Sequence, residues 1–314
     1  SYRREARVPH WTGLGRKLAG PNSRRTVPAD AWFLTAGADV QGENNGVRYT
    51  IRAWAPGRTS WLVDWGWIER QPGDENDLVK SDLRELRKRV LEYRFPVVDA
   101  NGETAVNPLG HSSLGVRLLC IDSNYLPFKV HNWLRSLPED WVYGETPRVR
   151  AIRGDHKLNP DTRWRMNIVE TNTRSGESYE GGLWQWGVYI YPFYDELLQA
   201  LAGEANRLGS WHVTADCLQQ GKKYLEQIVN FGPTTIVDQN TGMKKTQWGP
   251  RSGRTPVDFW DTEIYGMVAA YMTVGDLGWD VAKWEEWRDR RATAIEQQTV
   301  RRRAFAPTES LDAR

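Results

Sequence analysis

The chain has 314 residues, of which 39% are hydrophobic, and its formal net charge is +2. This length allows one large domain or two small ones with a sizeable core, and no apolar run approaches the roughly 20 residues of a transmembrane helix, so we expect no membrane partner. The two cysteines, Cys120 and Cys217, form no CxxC motif and no histidine cluster accompanies them, which argues against a disulfide scaffold or a zinc site and fits a reducing cytoplasm.

The first half of the chain predicts three antiparallel strands, a helix and a parallel strand. The apolar run 32–41 predicts a strand buried on both faces, and the segments 47–55 and 60–67 predict two strands that follow it through tight turns. Apolar residues at helical spacing predict a helix over 77–93, and residues 116–121 predict the next buried strand. Because a strand after a crossover helix usually runs parallel to the first strand, we expect both strands to end at the same edge of the sheet.

The second half predicts two hairpins and a late helix. Residues 164–171 and 183–191 predict strands of a β-hairpin inserted into the core fold, and residues 234–238 and 244–248 flank a turn that predicts a second hairpin. Pro256 suits the first position of a helix that follows. Shorter elements are expected as a helix at 130–137, a strand at 149–152, and helices at 194–207 and 217–230.

Three regions of different character divide the chain. Residues 1–30 are rich in Arg, Gly, Pro and Ser without periodicity, which predicts a linker arm. Residues 31–278 carry the predicted strands and helices of one domain. Residues 279–314 predict a polar helix and a disordered tail.

Acidic residues occupy the ends of the two central strands and the start of the late helix. Asp39 ends the first strand, Asp122 ends the strand after the crossover, and Asp258 and Asp261 share one face of the late helix near its start. Converging carboxylates repel one another and therefore require divalent cations, and hard oxygen ligands favour Mg²⁺ or Mn²⁺. This order of strands and acids predicts a ribonuclease H-like α/β fold, a mixed sheet flanked by helices, with a two-metal phosphodiester-cleaving site. The alternative for any single aspartate is a capping or turn role.

A basic segment precedes the late helix. Residues 241–254 contain Lys244, Lys245, Arg251 and Arg254 and no acid. Such a cluster on a hairpin beside the acids would hold the phosphate backbone of DNA, and the alternative is a solvated loop.

Several segments together resemble the nuclease domain of lambda-like phage terminase large subunits, the GpA family. The segments are VPADAWFLTAGADVQ over 27–41, WLVDWG over 61–66, CIDS over 120–123 and DFWDTEIYGMVAA over 258–270. The resemblance implies an endonuclease that cuts concatemeric double-stranded viral DNA during packaging, with two Mg²⁺ or Mn²⁺ ions. It further implies that Asp39 bridges both ions, that Asp122 holds one and Asp261 the other, and that Asp258 assists indirectly.

The resemblance also implies partners and a location. These are double-stranded DNA, the terminase small subunit, the portal and the subunit's own ATPase domain, in the cytoplasm of the host cell. No GxxxxGK[ST] phosphate-binding loop occurs, so we expect the nuclease half alone, with residues 1–30 as the linker from the ATPase. The alternatives are another ribonuclease H-like nuclease, such as a resolvase or a transposase, and a DNA-binding or motor-docking module that does not cleave.

Overall fold

The computed structural model describes residues 10–41, 46–70, 82–155, 158, 162–171, 176, 178–203, 209–237, 242–253 and 255–277. The strands are β1 (Val27–Pro28), β2 (Phe33–Val40), β3 (Val47–Trp54), β4 (Ser60–Ile68), β5 (Phe95–Val98), β6 (Ser113–Leu114), β7 (Val116–Asp122), β8 (Val149–Gly154), β9 (Trp164–Thr171), β10 (Ser178–Val188), β11 (Trp211–His212), β12 (Phe231–Val237) and β13 (Lys244–Pro250). The helices are α1 (Trp11–Lys17), α2 (Asp82–Leu86), α3 (Pro127–Arg135), α4 (Glu139–Tyr143), α5 (Tyr191–Ala202), α6 (Cys217–Gln220), α7 (Lys222–Asn230) and α8 (Asp258–Asp276), and a π-helical segment, Arg87–Glu92, continues α2.

A large mixed sheet organises the fold, with the strand order β11-β4-β3-β2-β7-β8-β10-β9. Strands β2, β3 and β4 pair antiparallel, whereas β7 runs parallel to β2 and β8 runs parallel to β7. Every residue of β2 is buried, as expected for a central strand covered on both faces. The predicted mixed α/β sheet flanked by helices is therefore confirmed.

Helices cover both faces of this sheet and form two apolar cores. Helices α1, α5, α7 and α8 contribute to one core, where Trp260 is fully buried. Helices α2, α3 and α4 contribute to the other, where Trp133 is buried. None of the helices in the described part of the chain combines the length and the apolar character needed to cross a bilayer.

Helix α8 lies unusually close to the central strand because two glycines face each other there. A Cβ atom on Gly37 of β2 would stand 1.9 Å from the carbonyl oxygen of Thr262 and 2.6 Å from the backbone nitrogen of Gly266. Where the backbones approach, the Thr35 hydroxyl donates a hydrogen bond to the Gly266 carbonyl at 2.8 Å. Glycine at position 37 thus permits the helix to pack backbone to backbone on β2.

The region expected to be a linker is partly folded. Within the described residues 10–30, α1 places Leu14 in the core beside the fully buried Leu18, and β1 pairs parallel with β5. Gly15 has no room for a Cβ, which would lie 2.6 Å from the side chain of Leu218. Gly15 is one of the glycines that led to the prediction of an irregular arm, yet it allows a short helix to pack closely.

Several element boundaries differ from the sequence-based expectation. The helix predicted over 217–230 is split into α6 and α7 at Gly221, where a Cβ would lie 2.5 Å from the Cys217 sulfur. Helix α8 begins at Asp258, so Pro256 precedes the helix instead of opening it. The short strand β5 lies in a stretch for which no strand was predicted. Residues 71–81, at the predicted start of the crossover helix, and 279–314 lie outside the described residues.

The two predicted hairpins occupy different places. Strands β9 and β10 pair antiparallel, and β10 also pairs parallel with β8, so this hairpin extends the main sheet. That it is an insertion into the fold stays a prediction. Strands β12 and β13 form a separate two-stranded hairpin.

Candidate active site

The parallel pairing of β2 and β7 brings two of the predicted acids to the same level of the sheet. Ala38 pairs with Ile121, so the next residues along the two strands, Asp39 and Asp122, stand side by side. Asp39 is 8% exposed and Asp122 is 6% exposed. Helix α8 packs on β2 and β7 and carries Asp261 in its first turn. Three distant segments therefore meet at one edge of the sheet.

The acids at this edge strongly influence one another's protonation. Burial, followed by the charges of Asp261, Asp122 and Asp258, raises the pKa of Asp39 well above its usual value. Burial, together with the charges of Asp122 and Asp258, raises the pKa of Asp261 to about 8. Burial raises the pKa of Asp122 to about 6 against the opposing effect of backbone hydrogen bonds. The acidic cluster, which we define as Asp39, Asp122, Asp258 and Asp261, thus gathers carboxyl groups whose negative charges disfavour one another.

The donor set of this cluster fits a hard divalent cation. Its donors are carboxylate oxygens, the ligands preferred by Mg²⁺ and Mn²⁺. In the described part of the chain, no group of three or more His, Cys, Asp or Glu side chains is arranged so that it could hold a metal ion as it stands. As they stand, the carboxylates of the cluster do not form a closed coordination shell.

Neighbouring polar groups orient two of the carboxylates. The Gln41 side-chain amide donates a hydrogen bond to Asp39, and the Asn124 backbone N–H donates to the Asp122 carboxylate at 3.2 Å. Tyr265, on α8, is close enough that the charges of Asp122, Asp261 and Asp39 add to burial in raising the pKa of its hydroxyl. Its hydroxyl therefore stays protonated near pH 7.

Arg48 lies beside the acidic cluster and was not among the residues predicted from the sequence. It lies on β3 directly opposite Asp39, and its Nε stands 3.3 Å from the Asp258 carboxylate. Its guanidinium lies 4.1 Å from the centre of the Trp67 ring, and Trp67 is 41% exposed. Among the described residues, the buried Arg48 Nη1 has no hydrogen-bond partner. The turn predicted at 42–46 could have identified Arg48, because the length of a tight turn determines which residue of the next strand pairs with Asp39.

Asp258 differs from the other acids because it has a cationic partner. The Arg48 charge and hydrogen bond oppose the rise that burial causes in the pKa of Asp258. Glu263, two residues beyond Asp261, lies elsewhere: it is fully buried, pairs with Arg52 at 3.2 Å and accepts a hydrogen bond from the Tyr224 hydroxyl at 2.7 Å. This is a core network and not part of the acidic cluster.

The basic hairpin stands beside the start of α8. The Phe231 ring of β12 lies 5.0 Å from Trp260, the neighbour of Asp261, and Trp248 of β13 lies 5.3 Å from Tyr194. Burial and the charge of Asp261 raise the pKa of the Tyr194 hydroxyl, which places this aromatic group near the cluster. Arg251 is exposed just after β13. Lys244 and Lys245 begin β13, but their side chains and Arg254 lie outside the described residues.

Comparison with known proteins identifies one family. The family model described as "Terminase large subunit gpA, endonuclease domain" matches residues 1–284. No curated protein and no solved structure matches the chain.

Proposed function

Because the chain belongs to the family of terminase large subunit gpA endonuclease domains, we propose that it cuts double-stranded viral DNA during genome packaging, using two Mg²⁺ or Mn²⁺ ions. The observation that carries this proposal is the meeting of Asp39, Asp122 and Asp261, from two parallel strands and a distant helix, in one cluster of mutually repelling carboxyl groups. Burying like charges close together lowers the stability of the folded state, and such clusters are typical of functional sites.

The positions of the acids suggest which role each of them has in holding the two ions. Asp39 is influenced by both Asp122 and Asp261, which suits a carboxylate that bridges two ions. Asp122 would hold one ion and Asp261 the other. Two bound ions supply an activated water and stabilise the charge on the leaving oxygen. Asp258, already paired with Arg48, would assist indirectly.

Cations near the cluster would hold the DNA. Clustered acids repel a phosphate backbone, so the surrounding groups must supply attraction. Lys244, Lys245, Arg251 and Arg254 on and after the hairpin would contact phosphates without reading sequence. Arg48, whose guanidinium lies over the exposed Trp67 ring, would add positive charge beside the acids.

The proposed setting follows from the family. Packaging in the host cytoplasm would require contact with the terminase small subunit, the portal and the ATPase domain of the large subunit. These partners are proposals that rest on family membership.

A nicking assay on supercoiled plasmid tests the function. We expect cleavage with Mg²⁺ or Mn²⁺ and none in EDTA, because without the ions the acids can neither activate a water nor stabilise the charge on the leaving oxygen. Replacing Asp39, Asp122 or Asp261 by Asn should lower the rate by orders of magnitude and not additively, since they act as one unit. Asp258→Asn should cost less, and Asp140→Asn, on the exposed surface of α4, serves as the control.

The same assay separates the alternatives. Full activity in EDTA would refute the metal mechanism, and a wild-type protein that binds but never cuts would indicate a docking module. A strong preference for four-way junctions over linear duplex would indicate a resolvase.

A further inference from the structure

A pocket of about 370 Å³ lies next to the acidic cluster, and the proposed reaction does not use it. It is lined by Ser123 and Asn124, the two residues that follow Asp122, and by parts of α3, β9 and β10. Because crevices at the carboxyl ends of parallel strands commonly bind ligands, its position makes it a candidate subsite for DNA.

Hydrogen bonds fix the wall of this pocket nearest to Asp122. The Ser123 backbone N–H donates to the Ile152 carbonyl at 2.9 Å, and the Ser123 hydroxyl donates to the same oxygen at 2.8 Å. The Gln185 amide in turn donates to the Ser123 hydroxyl at 2.8 Å. Three hydrogen bonds therefore hold Ser123 in place at this wall of the pocket.

A buried histidine lines the pocket. His131 on α3 is 3% exposed, and its Nε2 has no hydrogen-bond partner among the described residues. A buried polar atom without a partner costs free energy, which a ligand group can recover. Burial lowers the pKa of His131 to about 4, so the ring is neutral near pH 7 and suits an uncharged polar group better than a phosphate.

The remaining walls suit a flat ring. Phe128, Tyr179 and Ile168 line the pocket together with the Asn124 and Gln185 amides. Extruded nucleobases are bound in this way, between aromatic or apolar side chains and with hydrogen bonds to their edge. Arg153, which is exposed and also lines the pocket, can meet the attached phosphate.

An exposed aromatic residue lies on the same loop. Tyr125, three residues after Asp122, is 64% exposed. Proteins that distort duplex DNA often insert a side chain between base steps to replace lost stacking. Tyr125 is placed to insert between base steps at the point where a base would leave the DNA double helix.

We propose that this base pocket receives one unpaired nucleobase adjacent to the phosphate that is cut. The inference rests on the proposed nuclease function and adds a base-binding subsite to it. It means that the duplex is locally opened at the cut and that cleavage responds to the base at one position.

Abasic substitution tests the pocket directly. On a linear duplex with a mapped cut, an abasic residue is placed in turn at each position flanking the scissile phosphate. Wild-type cleavage should fall at one position by about tenfold, the loss of one stacked base. Ile168→Trp fills the pocket from an exposed strand position. This variant should cut the intact duplex as slowly as the wild type cuts the abasic one, and the abasic residue should not slow the variant further. Leu109→Trp, at an exposed loop position, is the control.

A binding measurement separates failure of the pocket from failure of the nuclease. With 2-aminopurine placed in turn along the duplex and Ca²⁺ replacing Mg²⁺, fluorescence should change at one position on binding to wild type and not on binding to Ile168→Trp or His131→Phe, with melting curves to confirm folding. Normal cleavage that is indifferent to every abasic position, with unchanged fluorescence, would overturn the inference and leave the nuclease intact. A fluorescence change at one position that Ile168→Trp abolishes, without cleavage in Mg²⁺, would support the pocket and refute the nuclease.

Discussion

At the scale of single residues, Asp39 links the electrostatics of the site to the stability of the protein. It is buried and surrounded by other acids, so the folded state holds its proton to a higher pH than the unfolded chain, in which an aspartate titrates near 3.8. The same is true of Asp122, with a pKa of about 6, and of Asp261, with a pKa of about 8. Between pH 3.8 and these raised pKa values, the folded state binds more protons than the unfolded state. The stability of the folded protein therefore falls as pH rises.

The resulting prediction concerns melting without metal. In EDTA, the melting temperature of the wild type should fall between about pH 5 and pH 8, and Asp39→Asn should flatten that fall and melt higher at the upper pH. Excess Mg²⁺ should stabilise the wild type at that pH more than the variant, because a ligand that binds only the folded state raises its stability. Calorimetry at several pH values measures both effects. Equal melting of wild type and Asp39→Asn at pH 8 in EDTA would show that the acids do not repel.

The acids of the candidate site were easier to predict from the sequence than the residues around them. Asp39 and Asp122 are visible because each ends an apolar run, and strand ends are readable from composition. Arg48 was missed because its role depends on its register opposite Asp39 and on a stacking contact with Trp67. His131 was missed because only tertiary packing shows that its ring is buried without a partner.

At the scale of secondary-structure elements, the close contact between β2 and α8 positions Asp261. A Cβ at Gly37 would collide with the backbone of α8, whereas a Cβ at Gly266 would find its nearest atom at 3.5 Å. The first contact cannot be relieved by a side-chain movement, because both partners are backbone. The second is an ordinary van der Waals distance.

We therefore predict opposite outcomes for two alanine substitutions. Gly37→Ala should destabilise the fold by about 1–3 kcal/mol, the usual cost of overpacking, and should lower cleavage by about 100-fold per folded molecule because α8 is displaced by about 1 Å. Gly266→Ala should be neutral or stabilising, since alanine favours a helix. Denaturant titration and nicking rates provide the readouts. Wild-type behaviour of Gly37→Ala would show that this contact does not position the site.

The elements that sequence patterns predicted best are those with strong periodicity. Strands β2, β3, β4 and β7 were predicted close to their observed bounds because apolar runs and tight turns mark them. Helix α1 was missed because Gly13 and Gly15 disfavour a helix, and only packing against Leu218 and Leu225 explains Gly15. Strand β5 pairs with the short β1 and β6, and such short pairings leave little trace in a single sequence.

At the scale of the whole molecule, the account requires attraction for DNA near a site that repels it. The hairpin of β12 and β13 stands beside the start of α8, and its cations are expected to supply this attraction. Such contacts release counterions from DNA and make binding depend on salt.

This expectation can be measured on DNA of any sequence. Alanine at Lys244, Lys245, Arg251 and Arg254 should weaken binding uniformly and reduce the salt slope by about one per lost contact. Melting should change little, because exposed cations contribute little to stability. The control is alanine at Arg84 and Lys88, exposed residues on and after α2, which should leave the slope unchanged. An unchanged slope in the quadruple variant would mean that DNA takes another path.

Anomalous diffraction from crystals soaked in Mn²⁺ tests the metal site itself. Two peaks about 3.5–4 Å apart are expected between Asp39, Asp122 and Asp261. Crystals of Asp39→Asn, soaked identically, should lose at least one of them. Absence of both peaks at a Mn²⁺ concentration that supports cleavage, or the same two peaks in Asp39→Asn, would contradict the account.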